Sequence, residues 1–494
     1  MIRKKVLLIL AVVTAAAMSV SVTACLASNK ASVSSETEVQ TQTEDITTSE
    51  EISNTEDGGH AIEVSGNEAS YSNIKVTKTG DSSSGDEADF YGDNAAVFAT
   101  DGATLTLEDI VVDTDGKHAN AVFSYGSGTT VNISNSVITT SGNCSGGLMT
   151  TGGGTMNATD LNIHTSGNSS AAIRSDRGGG TVNVDGGTYV TDGKGSPVIY
   201  STADITVSNA TLESTTSEGV VVEGKNSVTL NNVSLTADNN AHNSNKSDNY
   251  KAVMIYQSMS GDASVGLATF TMTGGSITNK NGDVFFVNNT SATISLENAE
   301  IINQDTDGVF LRAAAAGWGT EGSNGGKVNL YLKKQAQTGD IVVDKVSALN
   351  MYLSEGTAYT GTVNGANEGE VYVEIESGSK WVLTGDSYIT GLTCEADAVD
   401  LNGHKLYVGG TEYTAGTSST GTAITIATES SGKPDGMPGE PPSGGKPNGE
   451  KPSGDFPGDP PSGERPQGDP PSGDPPSGSP GGNGGEPPAK PSQE

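Results

Sequence analysis

The sequence predicts an all-β fold, a right-handed parallel β-helix or solenoid, on three observations: a phrase recurring about every 25 residues, period-two apolar alternation inside it, and Asp, Asn or Gly at one fixed place in each copy. Aligning the copies by their first apolar residue gives Leu105, Val131, Met156, Val182, Ile205, Val228, Phe270 and Ile294, in steps of 26, 25, 26, 23, 23, 42 and 24. The interval of 42 marks one long insertion.

Each copy places a second inward residue two positions on: Leu107, Ile133, Ala158, Val184, Val207, Leu230, Met272 and Leu296. Two further positions bring Asp109, Asn135, Asp160, Gly186, Asn209, Asn232, Gly274 and Asn298, residue types that tolerate the left-handed backbone of a tight turn. Three positions further an apolar residue returns, as at Val112, Ile138 and Ile163, so the chain bends and enters a second strand. A third apolar run precedes each phrase, as at residues 96–98, 121–123, 197–200 and 219–222. One repeat is therefore three short strands and three turns. It cannot bury its own apolar face, so successive copies must stack on a shared core. An antiparallel sandwich would not require this regular spacing.

The flanks differ in composition. Residues 1–24 carry a basic head (Arg3, Lys4, Lys5) and a short apolar run, the pattern of a secretion signal. Val22-Thr23-Ala24-Cys25 resembles the lipobox of bacterial lipoproteins, which implies that Cys25 is lipidated and anchors the protein to the membrane. Residues 25–58, rich in Ser, Thr and Glu, read as a disordered acidic tether. Residues 429–494 hold 18 of the 19 prolines and read as a disordered Pro/Gly-rich tail. Between them, residues 59–428 are expected to form the β-helix, with about 13 coils stacked at about 4.8 Å and a capping end from about residue 327.

The formal net charge of −34 argues against nucleic acid as a partner and suits a secreted protein. Cys144 and Cys394 lie far apart in the stacking order and are expected to be small buried residues rather than a disulfide.

Function on a solenoid sits where loops interrupt the coil. Two excursions, 257–268 and 313–327, leave from the same corner and are expected to meet on one edge of the rod. The same edge carries Asp176 and Arg177, then Glu223, Lys225 and Asn226. A sugar-binding surface is expected there, with Trp318 as an apolar platform for a pyranose and Asp176, Arg177, Gln257, Ser258, Asp262 and Asn324 as polar partners. The insertion 238–251 leaves from a different corner. Its oxygen donors, Asp238 and Asp248 among them, could hold calcium, although no spacing matches an established metal loop. No cofactor is required by this reading.

Phe90-Tyr91-Gly92-Asp93-Asn94, Asp176-Arg177-Gly178-Gly179-Gly180, Tyr256-Gln257-Ser258-Met259-Ser260-Gly261-Asp262 and Trp318-Gly319-Thr320 resemble phrases of exported, adhesin-like parallel β-helix lipoproteins of Gram-positive bacteria. Residues 381–389 are similar to the end of autotransporter passenger domains of the pertactin type, which implies that Trp381 caps the coil. The calcium- and polysaccharide-binding β-helix lipoproteins of cellulolytic clostridia are a looser match. These resemblances imply a surface location and adhesion. The reading that follows is a monomeric, lipid-anchored protein on the outer face of the bacterial membrane or in the cell wall, binding a polysaccharide or a host or matrix glycan without catalysis. Pectin-degrading lyases and hydrolases share the fold, so cleavage of pectic-type glycans is the first alternative. A purely structural envelope spacer is the second.

Overall fold

The structure is a computed structural model in which residues 46–426 are described, all within one compact unit. The signal segment, Cys25, most of the tether and the Pro/Gly-rich tail lie outside the described residues. The chain winds as a right-handed parallel β-helix around three parallel sheets, which contain 10, 11 and 13 strands. The first sheet runs from Glu50–Asn54 to Glu300–Asn303, the second from Ile62–Ser65 to Ile341–Val343, and the third from Glu68–Ser72 to Gly391–Cys394.

The repeat sets the register of the third sheet. Leu105, Val131, Met156, Val182, Ile205, Val228, Phe270 and Ile294 are successive lateral partners in it. All are buried, and they stack into the inner column of one continuous core. The turn residues behave as their chemistry requires: φ is positive at every one, from 47° at Asn135 to 77° at Gly186. A one-residue slip would turn this column outward, so burial and turn chemistry fix the same register.

The coil starts earlier than composition indicated. Glu50–Asn54, expected as tether, pairs in parallel with Ile74–Lys78. One inward apolar residue, Ile52, joins it to the core, a signal too small to stand out in a Ser/Thr/Glu-rich stretch.

The corner between the first and second sheets is a polar ladder that the repeat did not reveal. Gly116, Gly142, Gly167 and Gly193 stack so closely that a Cβ on each would lie 1.8–2.1 Å from the carbonyl oxygen of the glycine one coil before. Beside them, Ser145, Ser170 and Ser196 are fully buried. Their hydroxyls donate to Gly116 O, Gly142 O and Gly167 O at 2.8, 3.0 and 2.8 Å. The Ser145 and Ser170 backbone N–H groups donate in turn to the hydroxyl one coil on, both at 2.9 Å. The three hydroxyls thus bond the coil before, and the Ser145 and Ser170 N–H groups the coil after.

The architecture changes near residue 327, as the shortening repeat predicts. The first sheet has ended, and a four-stranded sheet takes its place, formed by Ala336–Thr338, Ala358–Thr360, Lys380–Val382 and Val399–Asp400. Trp381 is fully buried there and donates Nε1–H to Gly361 O at 3.0 Å. The final antiparallel pair, Leu406–Val408 with Thr411–Glu412, closes the end and blocks further parallel stacking.

What positions the candidate site is the second sheet. Its outward column reads Phe98, Phe123, Met149, Arg174, Tyr200, Val221, Met254 and Phe286 through successive pairings. A solvated face would be polar here. These side chains are instead covered by insertions: the helix Asp86–Tyr91 over Phe98, Phe123 and Met149, and the later loops over Val221, Met254 and Phe286.

Candidate functional site

The two excursions 257–268 and 313–327 do meet on one edge, because both join the second sheet to the third. Asn289, in the coil between them, links the two: its Nδ2–H donates to Gln257 O at 2.8 Å and its backbone N–H to Asn324 O at 2.9 Å, while Tyr256, just before the first excursion, packs edge to face on Trp318 with centroids 5.2 Å apart. The insertion 238–251 leaves from the opposite corner of the sheet yet folds back over its outer face. Gly317 N–H donates to Lys246 O at 2.7 Å, and the Lys246 ammonium lies 5.7 Å above the Trp318 ring. Sequence spacing separated this insertion from the site; the structure makes it a wall.

The result is a small open cleft on the second sheet, with a cavity volume of about 100 Å³. Tyr200, Val221 and Met254 form its floor, Trp318 and Tyr256 one side, and Asn239, His242, Asn243 and Ser247 the other, with Glu218 and Lys251 at the base. His242 is held by stacking on Tyr250 at 4.2 Å. Lys251 is buried; its Nζ donates to Asn249 O at 2.7 Å and Ser247 Oγ at 3.1 Å, with Glu218 Oε1 at 3.8 Å. Burial lowers its pKa, and Glu218 only partly opposes that.

Beneath the aromatic side lies a buried carboxyl. Tyr200 and Tyr256 both donate their hydroxyls to Glu223 Oε2, Tyr256 at 3.1 Å. Burial raises the Glu223 carboxyl and pushes both phenols well above their ordinary range. Along the same column, Arg174 Nη2 bridges Asp176 Oδ2 at 2.9 Å and Asp89 Oδ2 at 3.2 Å. Burial works against the Arg174 charge, but the two aspartates outweigh it.

Asp176 is pushed up to about 6, by burial before all else and despite Arg174. A raised carboxyl holds a proton in the folded chain that the unfolded chain releases near its ordinary value of about 4. Its contribution to stability is therefore complete below that value and lost as pH rises through about 6. Side-chain carboxyl NMR should show an Asp176 midpoint near 6; a midpoint at or below the ordinary aspartate value would contradict this environment.

The remaining expected contacts divide in two. Lys225 is exposed and Ser258 half-buried, both accessible to a ligand. Arg177 is instead a clamp: Nε and Nη2 donate to Asp262 Oδ1 at 3.1 and 2.7 Å, and its guanidinium lies 3.9 Å over the Phe90 ring. It ties the early helix to the excursion at 257–268. The Gln257 amide is buried and donates to Ala263 O at 3.2 Å, and Asn226 Nδ2–H donates to Glu223 O. Asn324 is buried and holds Ala316 O and Trp318 O at 2.7 and 2.8 Å. Asp176, Arg177 and Asp262, expected as ligand contacts, have their charges engaged within the protein, and Gln257 and Asn324 are buried with their amide N–H groups engaged and their side-chain oxygens unpaired; these residues act by shaping the cleft.

Asp238, a calcium candidate, is engaged by Asn281 and faces Lys280 at 3.7 Å, while Asp248 is exposed. Neither joins a cluster of three metal-ligating side chains among the described residues. Cys144, at a turn with φ of 58°, is half-buried rather than buried.

Sequence reasoning missed Tyr200, Val221, Met254 and Lys251. The signal was present in the apolar runs 197–200, 219–222 and 252–256, which leave too few polar positions for a strand with one solvated face. No helix among the described residues is long and apolar enough to cross a membrane. No family model matches the chain, and neither the curated proteins nor the solved structures compared with it contain a match.

Proposed function

We propose that the protein is a cell-surface lipoprotein that binds a polysaccharide or matrix glycan, without cleaving it, in the cleft on the outer face of the second sheet. The observation that carries this reading is the cleft's composition. Tyr200, Tyr256 and Trp318 line it together with the exposed amide of Asn243 and the exposed hydroxyl of Ser244. Aromatic faces pack on the C–H surfaces of a sugar, and amides take its hydroxyls. Surface location rests on the lipobox-like Cys25 and the signal-like segment before it.

The lyase alternative needs a basic group able to take a proton. Arg174, Arg177 and Arg312 are each paired with carboxylate, Arg312 with Asp283 at 2.6 Å, and such pairing keeps a guanidinium protonated. These pairings argue against an arginine as the base.

Trp318→Ala should weaken retention on a bound polysaccharide by roughly 30-fold, about 2 kcal/mol, as for a central aromatic anchor. The check is affinity electrophoresis across a panel of neutral and acidic polysaccharides, with product analysis of each. Wild-type retention by a folded variant would remove Trp318 from the site. Failure of the wild-type protein to bind any member would favour the spacer reading, and released product would favour the enzyme.

A further inference from the structure

The helix Asp86–Tyr91 covers a group of side chains that glycan recognition does not use. Asp89, His118 and Cys144 each offer a ligand atom, and these atoms lie within 4.8 Å of one another. Asp89 and His118 are both 2% exposed. His118 and Cys144 occupy the same corner of successive coils, in left-handed conformations with φ of 57° and 58°. The next coils place Ser169 and Gly195 there, with φ of 55° and 67°. The scaffold repeats, whereas the ligating side chains occur only in the two coils beside the helix.

His118 Nδ1 lies 3.2 Å from Asp89 Oδ2, at ion-pair distance but without hydrogen-bond direction, and Arg174 Nη2 stands 3.2 Å from the same oxygen. A buried polar nitrogen left so calls for an explanation. Zinc bonds of about 2.0–2.1 Å in tetrahedral geometry place neighbouring N and O ligands on the order of 3.3 Å apart. The contact has that length and lacks hydrogen-bond direction.

We propose that Asp89, His118 and Cys144 form a binding site for a borderline-soft divalent transition cation, of which zinc is the type. The donor set is one carboxylate, one imidazole and one thiolate, which suits zinc and not calcium, a cation that takes six to eight oxygens. Asn120 Nδ2–H donates to Asp89 Oδ1 at 3.0 Å and orients the carboxylate, the outer support that metal ligands generally have. Formal charges also match. Asp89, Asp176 and a Cys144 thiolate supply three negative charges, which Arg174 and a divalent cation balance. Cys144 is the half-buried member, so it gives the cation its route from solvent. Bound there, the cation pins the helix to the coils beneath it.

The test uses the reduced full-length chain titrated with cobalt(II). A thiolate-to-cobalt charge-transfer band should grow to one equivalent and be bleached by zinc. Zinc should also slow alkylation of Cys144, followed peptide by peptide, while leaving the Cys394 rate unchanged. Cys144→Ser should abolish the band with the fold intact, since Ser169 already stands at that corner of the next coil with φ of 55°. His118→Asn, which tolerates the left-handed turn, should weaken cobalt binding by about 100-fold. No band with the folded wild-type protein, a band that survives Cys144→Ser, or Cys144 alkylation indifferent to zinc would overturn the proposal.

Discussion

Trp381→Ala is expected to lower the unfolding free energy by about 4 kcal/mol, within the range for truncating a buried aromatic side chain. Trp381 is fully buried, and its ring stands 6.4 Å from that of Tyr359 inside the four-stranded closing sheet. Truncation leaves a large cavity and orphans Gly361 O, which accepts the Nε1–H. The loss should be local. Coils in a solenoid touch only their neighbours, so hydrogen exchange should rise across residues 336–408 while the strands around Leu105 stay protected. Uniform loosening along the whole chain would show that the end coils and the middle unfold as one unit.

Gly167→Ala should cost about 3 kcal/mol, at the upper end for overpacking, because the obstruction is backbone rather than a flexible side chain. An added Cβ would lie 1.9 Å from Gly142 O and 2.8 Å from Ser170 Oγ. Neither can withdraw freely, since Ser170 donates to that same carbonyl at 3.0 Å. The substitution must separate two coils and break the serine ladder on both sides. Gly365→Ala is the control, with the Thr362 side chain as its nearest neighbour at 3.2 Å. Urea unfolding of both variants measures the difference. A Gly167→Ala midpoint equal to that of the control would mean that the corner has slack the structure does not show.

The fold was legible because its signals are local and repeated. Asn135, Asn209 and Asn298 each announce a left-handed turn, and Val131, Ile205 and Ile294 each announce an inward position; eight concordant copies leave one register. The glycine column was hidden because its φ values are ordinary, so residue type alone gives no hint of the carbonyl one coil away. The site was only partly legible. Trp318 and its loop stood out as irregular, and their shared corner with Gln257 followed from counting strands. That Lys246 would return to face Trp318 depends on the path of an insertion with no periodicity of its own. Arg174 and Arg177 were visible as charges, but their partners Asp89 and Asp262 each lie 85 residues away in sequence. Pairing over such distances leaves no trace in spacing.

The glycine column fixes the pitch only where it runs. Gly116, Gly142, Gly167 and Gly193 each stand against the carbonyl one coil before, so those coils have a single spacing. Beyond them the same corner changes length, to residues 215–219 ahead of Val220–Glu223 and to the insertion 238–250 ahead of Lys251–Tyr256, while all three sheets continue in register. Length is therefore free to vary at this line once the glycines stop, and the wall that carries Lys246 occupies that freedom.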